Sequence, residues 1–158
     1  MSANQIRPDH PRIHATGLAT DFLNRYNEPV MLLDLVPAEP ACLDEFLDWT
    51  PCSYVEHFAR SRFSDRQRVL EAYFQAAAGS RAALAAVVTE MSKIIVATQV
   101  ELKREPEPAA QAEIAAEAAD RLRDLLVAAG AIIHGRRRAE IANAQAGIDT
   151  LFDQRMDS

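Results

Sequence analysis

The sequence predicts an all-α fold: a helical bundle built on a long antiparallel helix hairpin, with a kinked N-terminal helix and short bridging helices. Three observations carry this expectation. Apolar side chains recur at three- and four-residue intervals rather than at every second residue. Alanine, the best intrinsic helix former, is used heavily, glycine occurs only five times, and Val, Ile and Thr are confined to a few clusters. Two long amphipathic stretches, 81–105 and 109–133, are separated only by Pro106, Glu107 and Pro108, a connection short enough to demand that the chain turn back on itself.

Residues 1–13 carry Pro8 and Pro11 among polar side chains and read as an irregular N-terminal arm. Residues 14–158 read as a single helical-bundle domain. The first helix is expected from near Ala15 to Val36, stopped by Pro37, which pushes the residue before it away from α geometry. Pro29 lies inside it, lacks a backbone donor and crowds the carbonyl of Arg25, which predicts a kink. Beyond Pro29, Val30, Met31, Leu32, Leu33, Leu35 and Val36 are apolar almost all round, as in a helix end buried on most sides.

A proline-punctuated stretch follows. A short helix is expected over 41–49, with Leu43, Phe46 and Leu47 on one side. Ser53 and Glu56 form a capping-box pattern that opens a second short helix to about Arg60. Ser64 and Gln67 repeat that pattern before a helix over 65–78 that buries Val69, Leu70, Tyr73, Phe74 and Ala77. Gly79 is expected to end it and Ser80 to cap the next. From Arg81 to Glu105, Leu84, Val87, Val88, Met91, Ile94, Ile95, Thr98 and Leu102 fall on one narrow face. The last region, 109–155, has Ile114, Ala118, Leu122, Leu125, Ala129 and Ile132 in one stripe, then Ile141, Ile148, Leu151 and Phe152 in a second, rotated one. A break is predicted near Gly135, where the stripes fall out of step; the alternative is one long helix that changes packing partner.

Composition narrows the function classes. At 158 residues, 49% hydrophobic and 25% charged, the chain can bury a core without metals or disulfides. A net charge of −6 argues against nucleic-acid binding, which needs a dense basic face. No apolar run is read as reaching the roughly 20 residues of a membrane span. The polar N-terminus lacks the apolar stretch of a secretory signal, so a cytoplasmic setting is expected. Cys42 and Cys52 fit no metal or CxxC spacing and read as reduced thiols, at least one of them packed as a small apolar group.

Catalytic patterns are sparse. There is no G-x-S-x-G elbow, no glycine-rich phosphate loop and no Glu-x-x-His metal motif. Glu56 and His57 are adjacent and so point about 100° apart on a helix; His10 and His14 are separated by Pro11. Neither a metal centre nor a cofactor is expected. Asp21, Asn24, Arg25 and Glu28 share an α-helical face. They read either as a solvated face with an Asp21–Arg25 pair or as a polar pocket that His57 reaches from a neighbouring helix.

His134 is followed by Arg136, Arg137 and Arg138. A histidine with a cation one turn later resembles the site of histidine phosphotransfer domains, with Arg137 in the cation position. Gly135 and Arg138 depart from that family's order, in which the glycine follows the cation. The resemblance implies phosphoryl transfer at His134; a basic patch that docks an acidic partner is the plainer reading. The stretch Gly147-Ile148-Asp149-Thr150-Leu151-Phe152 resembles the terminal docking peptide of flagellar motor switch proteins and some chemotaxis phosphatases. That resemblance implies a receiver-binding helix anchored by Ile148, Leu151 and Phe152. Glu140 and Asn143 are similar to the Glu-x-x-Asn pair of another class of receiver phosphatase.

Three function classes therefore stand. The first, favoured because long amphipathic faces occur without a catalytic constellation, is a non-enzymatic interaction or regulatory domain that self-associates. The second is a phosphorelay or receiver-binding component. The third is a small-ligand or metal-dependent enzyme built on Asp21, Glu28 and His57. A protein partner, possibly a second copy, is expected, with no nucleic acid and no membrane.

Overall fold

A computed structural model of the chain describes residues 12–60 and 65–135. Among them the fold is all-α. A 3-10 turn, Thr20–Phe22, leads into α1 (Leu23–Leu35), followed by α2 (Pro40–Asp48), α3 (Tyr54–Arg60), α4 (Arg66–Gln75), α5 (Ala78–Arg104) and α6 (Pro108–His134). The only β-type pairing among the described residues is an isolated bridge between Ile13 and Ala19.

That bridge corrects the expected start of the first helix. Residues 12–19 fold back at Gly17, whose φ is +86°, and His14 N–H donates to the Leu18 carbonyl at 2.9 Å. Tertiary bonds hold the turn: the Thr16 hydroxyl donates to the Ile133 carbonyl at 2.6 Å, and Ala19 N–H donates to the Tyr54 hydroxyl at 2.8 Å. These contacts with α6 and α3 outweigh the local helix propensity of the segment. Pro29 lies inside α1 and is buried. Of the apolar run after it, Val30, Leu32, Leu33 and Val36 are buried, whereas Met31 and Leu35 face solvent.

Pro40 and Pro108 open α2 and α6, where a missing backbone donor costs nothing. Ser53 caps α3 as expected, its hydroxyl accepting Glu56 N–H at 3.1 Å. The junction of α4 and α5 differs from expectation. The break falls at Ala76 and Ala77, and Gly79 and Ser80 lie in the first turn of α5. First-turn residues lack intrahelical partners for their N–H groups, so glycine and serine cost little there, while Ala76 is buried against Gly17. In α4, Val69 is buried, but Phe74 is 59% exposed and Ala77 is exposed, against the expected burial of both. Gly135, at φ +72°, ends α6 at the predicted break and excludes a helix running straight on. The continuation, 136–158, lies outside the described residues.

α5 and α6 share the most extensive helix–helix contact, and α1 packs on α6 next. The core takes Phe22, Tyr26 and Leu33 from the first segment, Phe46 from α2 and Phe58 from α3. It takes Leu84, Met91, Ile95 and Leu102 from α5, and Leu122 and Ile133 from α6. Cys42 and Cys52 are free thiols, both buried. One expectation needs revision: α5 contains an 18-residue window of mean hydropathy 1.4 with at most two charged residues, long and apolar enough to cross a membrane. A third of that window is buried inside the fold, which leaves α5 with an apolar inner side and a largely uncovered outer side.

Candidate functional site

The loop Trp49–Ser53 and helix α3 form the ground on which two adjacent hollows lie. Trp49 is fixed first, its indole N–H donating to the Arg25 carbonyl at 3.2 Å. Gln99 of α5 donates to the carbonyls of Phe46 and Trp49, at 2.9 and 2.8 Å, and so satisfies the end of α2. Tyr26 of α1 binds the loop: its hydroxyl donates to the Cys52 carbonyl at 3.1 Å and shares a 2.8 Å bond with the Ser92 hydroxyl. On α3, Arg60 follows Glu56 by four residues and His57 by three, so it neighbours both, while the adjacent Glu56 and His57 diverge toward different hollows.

The larger hollow is an open groove of about 630 Å³ between this ground and α5, lined by Tyr26, Pro51, Cys52, Ser53, Glu56 and, from α5, Val88, Thr89, Ser92, Lys93, Val96 and Ala97. Its lining is mainly apolar. Val96 is 44% exposed and Val100, one turn on, is 42% exposed. The smaller hollow, about 280 Å³, is lined by Arg25, Cys52, His57 and Arg60. Cys52 belongs to both walls, so the two hollows are neighbours.

Arg25 is held rigidly. One guanidinium N–H donates to the Thr50 carbonyl at 2.7 Å, and the group lies over the Trp49 ring at 5.0 Å. Its Nε is buried without a hydrogen-bond partner among the described residues. His57 packs edge-on against Phe22 and Phe58. Burial, and then the charge of Arg25, lower its pKa from the usual histidine value; Asp21 pulls weakly the other way. Burial pushes the Cys52 thiol up, with Arg25 and Arg60 only partly opposing. A thiol kept protonated in this way is a wall, not a nucleophile.

The polar side chains expected to form one cleft are not brought together: His57 and Arg25 line one hollow, Asn24 and Glu28 another, and Asp21 neither. Asp21 lies near His57, in the 3-10 turn, and accepts Arg12 N–H at 3.0 Å. Asn24 and Glu28 instead line a separate hollow with Met31, Asp34 and Arg123, where Asp34 pairs with Arg123. The tighter 3-10 turn changes the angular count, so Asp21 does not follow the α1 face. Arg25 turns to Thr50 and Trp49. Arg60, which periodicity did not single out, joins His57; the legible signal was its position three residues after His57 on α3.

His134 is the exposed last residue of α6, and its ring meets that of His14 edge-on at 4.4 Å. α6 stops there, and Gly135 caps it. Arg137, Glu140, Asn143, Ile148, Leu151 and Phe152 lie outside the described residues. No group of three or more His, Cys, Asp or Glu side chains is placed to hold a metal ion among the described residues. No family model, curated protein or solved structure matches this chain.

Proposed function

We propose that this chain is a non-enzymatic helical interaction domain, working in a cytoplasmic setting, that self-associates through the outer face of α5. The observation that carries the reading is the uncovered stripe of Ala82, Ala86, Thr89, Lys93, Val96 and Val100, all exposed and spaced alternately four and three residues apart. Such spacing presents one seam to a partner helix, and small side chains let the two backbones approach. Exposed stripes of this kind, apolar but for Thr89 and Lys93, mark association surfaces.

The favoured occupant is a second copy, because the seam is self-complementary. In an antiparallel pair with its two-fold axis level with residue 91, Ala82 of one copy comes opposite Val100 of the other, Ala86 opposite Val96 and Thr89 opposite Lys93, since the members of each pair lie equally far from the axis. An isologous contact of this sort closes as a dimer. The stripe is roughly 30 Å long and about 10 Å wide, which belongs to the small end of interfaces and predicts a weak, concentration-dependent dimer.

Sedimentation equilibrium from about 1 µM to about 1 mM tests this. The expected result is a monomer–dimer equilibrium that Val96→Glu with Val100→Glu abolishes while helicity by circular dichroism is unchanged. A monomer at every concentration overturns the reading. So does a monomer that instead binds phosphatidylcholine vesicles through α5, which would assign the apolar face to lipid.

A further inference from the structure

We propose that the small hollow between α1 and α3 is a binding site for a tetrahedral oxyanion, a phosphate group or its sulfate analogue, held by Arg25, His57 and Arg60. This goes beyond the self-association reading and does not depend on it. Of the four described side chains that line the hollow, three are bases and none is an acid, in a chain whose net charge is −6. The nearby carboxylates lie off its wall. Asp21 accepts the backbone N–H of Arg12. Glu56 faces the neighbouring groove and touches Arg60 at 3.8 Å, with both side chains mostly in solvent. A pair so exposed contributes little and yields readily to a more highly charged anion.

Arg25 is the anchor. Thr50 and the Trp49 ring fix its guanidinium before any ligand arrives, which lowers the entropy cost of binding. Its buried Nε lacks an acceptor. Closed to solvent, that nitrogen leaves the terminal guanidinium nitrogens to meet a ligand, with Nη2 already anchored on Thr50. The forked guanidinium matches the oxygens of a phosphate group. His57 is kept neutral by burial and by Arg25 at ordinary pH, so it has one donor and one acceptor nitrogen. An anion beside it favours the imidazolium, which couples binding to proton uptake. Arg60 closes the outer side from the end of α3. The volume, about 280 Å³, lies just below that of drug-sized pockets and suits a phosphate group on a small body. Cys52, with its thiol held protonated, contributes surface and no covalent chemistry.

Trp49 is the only tryptophan in the chain and lies under Arg25, so its fluorescence reports the site directly. Titration with inorganic phosphate and with sulfate, each against chloride at equal ionic strength, should give a saturable change in emission that chloride does not reproduce. Arg60→Gln, at an exposed position, should weaken binding by about fivefold or more without moving the melting temperature. Arg25→Lys, which keeps the charge but loses the fork, should weaken it by about tenfold. Sulfate keeps its charge from about pH 5.5 to about pH 8, so its affinity should rise on acidification through the histidine range, and His57→Gln should remove that rise. A linear, unsaturating response would overturn the proposal. Equal affinities in the wild-type chain and Arg60→Gln would do so as well.

Discussion

Gly17 and Gly135 are the described glycines with positive φ, and their surroundings separate them. A Cβ on Gly17 would come 2.8 Å from the backbone carbonyl oxygen of Ala72 and 3.2 Å from the Ala76 Cβ. A Cβ on Gly135 would meet the Thr16 methyl at 2.9 Å, the end of a side chain rather than backbone. Both alanine variants carry the left-handed penalty of about 1–2 kcal/mol; only Gly17→Ala must also displace a neighbouring helix. Gly17→Ala is therefore expected to lose about 2–4 kcal/mol and Gly135→Ala about 1–2 kcal/mol, read from urea midpoints. Equal losses would show that the contact with Ala72 does not decide the matter. The two differ in legibility for the same reason. Gly135 interrupts an apolar stripe and can be recognised from its own neighbourhood. Nothing beside Gly17 in the chain announces the turn, because α4, about sixty residues on, imposes it.

Between elements, alanine decides how closely the long helices approach. α6 buries Ala115, Ala118, Ala119 and Ala129 with Leu122 and Ile133, whereas Ile114, Leu125 and Ile132 are only partly covered. Of the expected stripe, Ala118, Leu122 and Ala129 are buried as predicted, whereas Ile114 and Ile132 yield the inner positions to their neighbours Ala115 and Ile133. In α5 the large residues themselves go inside, and Leu84, Met91, Ile94, Ile95 and Leu102 are buried as the periodicity predicts. Even Thr98 fits the stripe, since its hydroxyl donates to the Ile94 carbonyl at 2.6 Å and leaves no polar atom unpaired. It follows that Ala119→Leu, at a fully buried position, forces the bundle apart locally and should cost about 1–3 kcal/mol. Ala116→Leu, exposed on the same helix, should change stability by no more than about 0.5 kcal/mol. Denaturation of the two variants side by side separates packing from helix propensity, which is identical for both. A loss of the same size in Ala116→Leu would leave helix propensity, not packing, as the cause.

At the scale of the described molecule, the basic hollow exists because α1, the Trp49–Ser53 loop and α3 converge, and no local interval in the sequence encodes that convergence. Periodicity finds His57 but joins it to Asn24 and Glu28, which line a separate hollow with Asp34 and Arg123. The same convergence makes the fold sensitive to acid. His57 is lowered by burial and by Arg25, with Asp21 opposing. His14 is lowered by burial, then by His134 and Arg12, again with Asp21 opposing. Both histidines therefore bind protons less readily folded than unfolded. Where the unfolded chain holds more protons, stability rises with pH. The contribution of these two groups is thus fully present above the unfolded histidine value, near pH 6.5, and is lost as the pH falls below it toward the folded values. Carboxylates as a class ordinarily titrate below this window. The urea midpoint should accordingly drop between about pH 7.5 and about pH 5. His14→Gln combined with His57→Gln should flatten the drop, because a neutral amide carries no proton in either state. If the double variant loses stability on acidification as steeply as the wild-type chain, the cause lies elsewhere than in these rings. Phosphate or sulfate should oppose the drop in the wild-type chain but not in Arg60→Gln, since an anion beside His57 restores the proton affinity that burial removes.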